Sequence, residues 1–189
     1  MNQLIGMLAN QLGGPVMEQI SQRIGADQGT TQSAVSMAVP MLLSVMGNQA
    51  ATSDGADAIH QATQENDGSI LDNVMEYVGN EGAANMGSSL LGQVLGGGTQ
   101  NAMAETIGQR TGMDSGAATQ LIGMLAPLVM GALSKSSQEQ GGLDRDGIAQ
   151  ILGSFTGNND LLGMAAKAID ADGDGNIAED IGNIISKMF

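Results

Sequence analysis

The sequence predicts an all-α protein built as a tandem duplicated helical bundle, and three observations carry that prediction. Residues 20–46 (ISQRIGADQGTTQSAVSMAVPMLLSVM) recur without a gap as residues 107–133 (IGQRTGMDSGAATQLIGMLAPLVMGAL), with Gln22, Arg23, Gly25, Asp27 and Pro40 returning as Gln109, Arg110, Gly112, Asp114 and Pro127. A second match, Asp67-Gly68-Ser69-Ile70 with Asp174-Gly175-Asn176-Ile177, lies at a wider spacing, so the second copy carries about twenty extra residues before its acidic loop. Apolar residues recur at helical spacing in both copies, and hydrophobic content of 42% allows a substantial core. The expected division is a first repeat over residues 1–80 and a second over residues 81–189 that ends in the acidic loop.

Each copy opens with a short amphipathic helix. Leu4, Ile5, Leu8 and Leu12 fall on one face, and Leu91 and Leu95 occupy the places of Leu4 and Leu8. Gly13 and Gly14 end it. Pro15, suited to a first helical turn, starts a second helix carrying Val16, Met17, Ile20 and Ile24, and Gly25 is placed to cap its C-terminus. Arg23 in the last turn suits the helix dipole. Asp27 and Asp114 follow as N-caps of a third helix, over about residues 28–46 and 115–134. That helix is apolar on nearly every face, so in both copies it is expected at the centre of the bundle. Pro40 and Pro127 interrupt it at the same place, each clashing with the carbonyl four residues earlier and removing one hydrogen bond. Those earlier residues, Ser36 and Gly123, are small, and a structural kink is expected.

Aromatic residues make up only 2%, so the core rests on Leu, Ile, Val, Ala and 14 methionines, whose flexible thioethers fill irregular gaps. The net charge of −14 is uneven: residues 1–50 and 91–143 each sum to −1, residues 51–90 to −7 and residues 144–189 to −5. The acidic segments keep the protein soluble and repel nucleic acid and anionic membranes. Without cysteine there is no disulfide framework, thiol nucleophile or thiolate metal site. The N-terminus lacks a basic, then apolar, leader pattern, which points to the cytoplasm, with non-classical secretion as the alternative. The longest apolar run, residues 121–133, falls short of the ~20 residues of a membrane span and reads as a buried core helix.

The strongest chemical signal is Asp170-Ala171-Asp172-Gly173-Asp174-Gly175-Asn176-Ile177. It places carboxylates at loop positions 1, 3 and 5, glycine at the sharp turn and an apolar residue at position 8, the opening half of an EF-hand calcium loop. Asp170, Asp172, Asp174 and the Asn176 carbonyl would supply four of the oxygen ligands that Ca²⁺ needs. The position of the closing bidentate Glu holds Ile181 instead. Two readings fit: Asp180 closes a shortened, weak site, or Glu179 and Asp180 decorate the N-terminus of a last helix. In the first copy Thr63 and Glu65 replace Asp170 and Asp172, so the additional carboxylates belong to the second copy alone.

The stretch around Gly25 also scans as a helix-turn-helix. Its presumed recognition helix carries no base in the first copy and none before Lys135 in the second, which argues against phosphate neutralisation. His60 and Tyr77 are single occurrences, so His clusters and duplicated catalytic dyads are excluded, and His60 is expected at the surface. Gly96-Gly97-Gly98 reads as a linker between helices, since no basic residue accompanies it.

The helix, the Gly-x-Asp turn and the apolar helix with its internal proline, in both copies, resemble the bacterial domain-of-unknown-function family 937, the YidB-like helical proteins. The Asp67-to-Asp72 stretch and the Asp172-Gly173-Asp174-Gly175 tail resemble it as well. The resemblance implies an all-α fold with a homeodomain-like helix arrangement and no established activity. The expected protein is a non-enzymatic helical repeat protein that binds Ca²⁺ weakly and acts through protein contacts, as a homo-oligomer or with another protein. A DNA-binding regulator is the alternative.

Overall fold

The structure, a computed structural model, describes residues 2–66, 68–139, 141–142 and 144–156. Among them every regular element is helical: α1 (Asn2–Gln11), α2 (Gly14–Ile24), α3 (Gln28–Ala50), α4 (Ser53–Glu65), a 3₁₀ turn (Ser69–Leu71), α5 (Val74–Gly79), α6 (Ala83–Val94), α7 (Gly97–Thr111), α8 (Ser115–Glu139) and α9 (Arg145–Thr156). The protein is all-α.

Local signals account for the boundaries. Pro15 sits in the first turn of α2, where its missing N–H is not needed, and Gly25 ends that helix in the left-handed region at φ 68°. The long proline helices run past their expected ends, to Ala50 and Glu139. Gly47 is buried inside α3 and does not break it. The chain turns only where Thr52 caps the next helix, its Oγ1 accepting from Gly55 N at 3.2 Å. Gly96 supplies the turn between α6 and α7 at φ 79°.

The two proline helices are not equivalent in burial. Every residue of α8 from Leu121 to Ser134 is buried, because α1, α2, α3, α4, α6, α7, α9 and the 3₁₀ turn all pack on it. That matches the expected central rod. In α3 only one side is buried, led by Ala34, Ala38, Leu42, Leu43 and Met46, while Met37, Pro40, Met41 and Val45 remain half-exposed. The expectation of an enclosed helix therefore holds for α8 and fails for α3, which α9, α4, α7 and α8 cover on one side. Apolar sequence on every face allows full burial, but neighbours must supply it.

One continuous apolar cluster runs from Leu8 to Phe155 and draws on helices from both halves of the chain: α6 and α7 line α8, and α9 lies along α3. Leu42, Leu43, Ile59, Ile107, Leu121, Ile122 and Leu125 are fully enclosed in it, and each such side chain contributes about 1.5–3 kcal/mol of burial. The closest approach is between α6 and α8. A Cβ on Gly87 would coincide with the carbonyl oxygen of Gly123, and one on Gly123 would lie 2.5 Å from the carbonyl oxygen of Ala84. Pro127 cannot donate to the Gly123 carbonyl, so α6 packs against the gap in the α8 ladder that the proline creates.

Surface polar contacts tie the smaller elements down. Arg23 Nη1 donates to Gly79 O at 3.1 Å, so its cation caps the end of α5 rather than serving α2 alone. Tyr77 Oη donates to Ala83 O at 3.0 Å, joining α5 to α6. Lys135 pairs with Asp72 and Arg145 with Asp57, each at 3.1 Å. These exposed pairs contribute little individually.

Candidate functional site

The duplicated Gly-x-Asp turns adopt matching local geometry. In the first, Gly25 is left-handed, its N–H donates to Ser21 O, and Asp27 Oδ1 accepts from Thr30 N at 2.9 Å. In the second, Gly112 is left-handed at φ 74°, its N–H donates to Gly108 O, and Asp114 Oδ1 accepts from Gly116 N at 2.8 Å and Ala117 N at 3.4 Å. The first backbone bonds of α3 and α8, Thr31 N to Asp27 O and Ala118 N to Asp114 O, are both 2.9 Å. Both aspartates therefore serve as the expected N-caps, satisfying amides that a helix start leaves without partners. Hydrogen bonding from Thr30, its side chain first and its N–H next, holds the Asp27 carboxyl below its ordinary value.

These two turns, 87 residues apart in sequence, face one another. They line a cleft of about 380 Å³, with Ile24, Gly25, Ala26, Asp27 and Thr30 on one side and Gly112, Met113, Asp114, Gly116, Ala117 and Gln120 on the other. The N-terminal ends of α3 and α8 thus lie together, and Arg23 and Arg110 occupy the last helical turns before the two glycines. Gln22, Gln109 and Arg110 are exposed. The caps are visible in the sequence as local signals. Their meeting is not, because it follows from the packing of α3 on α8.

A second cavity, of about 410 Å³, lies between α4, α8, the Gly142 turn and α9, lined by His60, Thr63, Gln64, Ser134, Ser137, Gln138, Gly142 and Ile148. His60 was expected at the surface, whereas it is half-buried, with Nδ1 enclosed and without a hydrogen-bond partner. Its Nε2 lies 2.8 Å from Gln64 Nε2, and Thr63 Oγ1 donates to the His60 carbonyl at 2.7 Å. The small polar residues along this stretch of α8 leave space that larger side chains would fill. Those lining residues include no carboxylate or cation to work with the imidazole.

Among the described residues no group of three or more His, Asp or Glu side chains could hold a metal ion. The predicted calcium ligands Asp170, Asp172, Asp174, Asn176 and Asp180, and Glu179 beside them, lie outside the described residues. Helix α8 is long and apolar enough to cross a membrane by length and composition, but 78% of its most apolar window is buried among the other helices, the position of a core helix.

No curated protein and no solved structure matches the chain. A family model does, over residues 6–136, from within α1 to near the end of α8, so that both proline helices and both Gly-x-Asp turns fall inside it. The chain belongs to the family described as bacterial protein of unknown function, DUF937.

Proposed function

We propose that this is a non-enzymatic helical repeat protein that works through protein contacts at the face carrying the paired turns. The observation that carries the reading is the convergence of the two copies of the Gly-x-Asp element on one cleft. Capping explains why each turn keeps its Gly and Asp. It does not explain why exposed Gln22 returns as exposed Gln109 beside them, or why Arg23, which caps α5, returns as the exposed Arg110. On this reading the halves are tandem duplicates, each with a homeodomain-like succession of helices, and the retained polar residues form a recognition surface. A photo-cross-linking residue placed at Gln22 or Gln109 in bacterial cells is expected to give discrete protein adducts, and one at exposed Gln93 on α6 to give none. Identical adducts from all three positions, or none from any, would refute it.

The same proposal includes weak Ca²⁺ binding by the loop of Asp170, Asp172, Asp174, Asn176 and Asp180, supported by the alternation of carboxylates ahead of Gly175. Calorimetric titration is expected to show heat at up to millimolar Ca²⁺ that an Asp172→Ala/Asp174→Ala variant lacks. Equal traces for the two proteins would remove calcium from the reading.

DNA binding is the weaker alternative. The helix that would read a groove is enclosed from Leu121 to Ser134 in the second copy and carries no charged residue in the first, whereas groove recognition needs an exposed helix and cations on phosphates.

A further inference from the structure

We propose that α9 is a releasable clasp: it leaves α3 and α4 as one unit while α1–α8 stay folded. Its release bares the side of α3 beneath it, on a helix that carries no charged residue. The paired turns play no part in this inference. The helix packs on α3 and α4 and only slightly on α8, although α8 precedes it in the chain. Ile148, Leu152 and Phe155, four and three residues apart, form its buried stripe, with Ala149 and Ile151 half-buried beside them. Asp144, Arg145, Asp146 and Gln150 are exposed. The ion pair from Arg145 to Asp57, at 3.1 Å, joins exposed groups and holds the helix only weakly.

Three further features favour release. The cavity of about 410 Å³ lies against the first turns of α9, where Ile148, His60, Ser134 and Ser137 border open space, so dispersion contacts are forfeited on that side. His60 Nδ1 is enclosed there without a hydrogen-bond partner, a cost that water removes once the helix lifts. The helix is also weak by itself: it has twelve residues, Gly147 and Gly153 among them, so leaving the core means unravelling. Finally, Gly141 and Gly142 between α8 and α9 are exposed and left-handed, at φ 91° and 82°, with nothing within 4 Å of a would-be Cβ. That turn changes shape without disturbing the core. Helix α8, enclosed from Leu121 to Ser134, has no such freedom.

Native-state hydrogen exchange of the full chain, followed amide by amide by NMR in a urea series below the unfolding midpoint, tests this. Without urea the amides of Ile148, Leu152 and Phe155 are expected to share one protection factor, at least about a hundredfold below that of the α8 amides. Their exchange should depend only weakly on urea, while α3 keeps the protection and the steep urea dependence of α8. Gly153→Ala adds a methyl with nothing within 4 Å and strengthens the helix, so it should slow α9 exchange by up to about fivefold. Protection and urea dependence in α9 equal to those of α8 would overturn the clasp, and so would α3 opening together with α9. Rates graded along α9 from Thr156 inward would overturn it as well, since they describe fraying of an end and not release of a unit. Exchange unchanged by Gly153→Ala would overturn the coupling of release to unravelling.

Discussion

Replacing Gly87 by alanine tests the closest packing in the molecule. In an exposed helix that change is stabilising by about 1 kcal/mol, since alanine loses less backbone entropy on folding. At Gly87 the new methyl would coincide with the carbonyl oxygen of Gly123 and lie 2.9 Å from Pro127 Cδ. Neither obstacle can rotate aside, because one is backbone and the other a ring fixed in the middle of α8. The helices must separate, loosening contacts of Leu91 and Leu121, both buried. Overpacking of this kind costs about 1–3 kcal/mol and sometimes more, and rigid obstacles place it at the upper end, so a net loss of about 2 kcal/mol is expected after the propensity gain. Gly92, in the same helix but exposed and with nothing within 4 Å of its would-be Cβ, supplies the control. Gly92→Ala should gain up to about 1 kcal/mol, separating the two variants by about 3 kcal/mol, or roughly 1–3 M in urea midpoint followed by circular dichroism. A Gly87→Ala protein unfolding at or above the midpoint of Gly92→Ala would refute this account of the α6–α8 contact.

Gly112→Ala forces an L-residue to φ 74° and should cost about 1–2 kcal/mol in the same urea assay; an unchanged midpoint would count against the left-handed cap. Asp114→Ala removes the acceptor for Gly116 N and Ala117 N and should cost about 1 kcal/mol, while Asp114→Ser keeps most of the cap. Asp27 has its folded-state value depressed by Thr30, so the stability it contributes is present above its ordinary value of 3.8 and is lost as pH falls through the lower folded-state value. Asp27→Asn should therefore flatten the acid limb of a stability-against-pH profile, and an identical limb in the variant would contradict the linkage. Tyr77 is the only tyrosine, and burial raises its phenol well above the ordinary value of 10. Its neutral form stabilises the fold below pH ~10, and that contribution fades at higher pH, so absorbance at 295 nm should rise only with unfolding and not at the position of a free phenol.

What the residues announce in advance is local. Gly25, Asp27 and Pro15 carry their cap and start signals in their own chemistry, and the gapless repeat extends each inference to Gly112 and Asp114. Burial is a relation between elements, and there the inference reaches only half-way. Residues 28–46 and 115–134 are both densely apolar, yet Met41 and Val45 stay half-exposed while their counterparts Leu128 and Ala132 are enclosed, because α6 and α7 cover α8 on faces that α3 leaves open. His60 likewise lost its expected place at the surface to the packing of α4 against α8 and α9. The acidic loop from Asp170 to Asp180 remains a reading of spacing alone.

The unequal fates of the two proline helices bear on where function resides. A segment at the centre of a core is constrained on all sides, and one at the wall is constrained on one side. Residues 115–139 and 28–50 differ accordingly: Gly123, which admits α6, stands where the aligned first segment has Ser36, an exposed residue bonded to Gln32 O at 2.8 Å. Packing demands therefore differ between the copies and cannot account for what both retain. Capping accounts for Gly and Asp in the two turns. Exposed Gln22 and Gln109 answer to no such demand, since a surface residue can usually change within about 0.5 kcal/mol, and Arg110 recurs without the α5 contact that holds Arg23. On the proposed contact reading, a requirement shared by both copies and located outside each one's own packing comes from something that touches both, and the cleft is the place that residues of both turns line together.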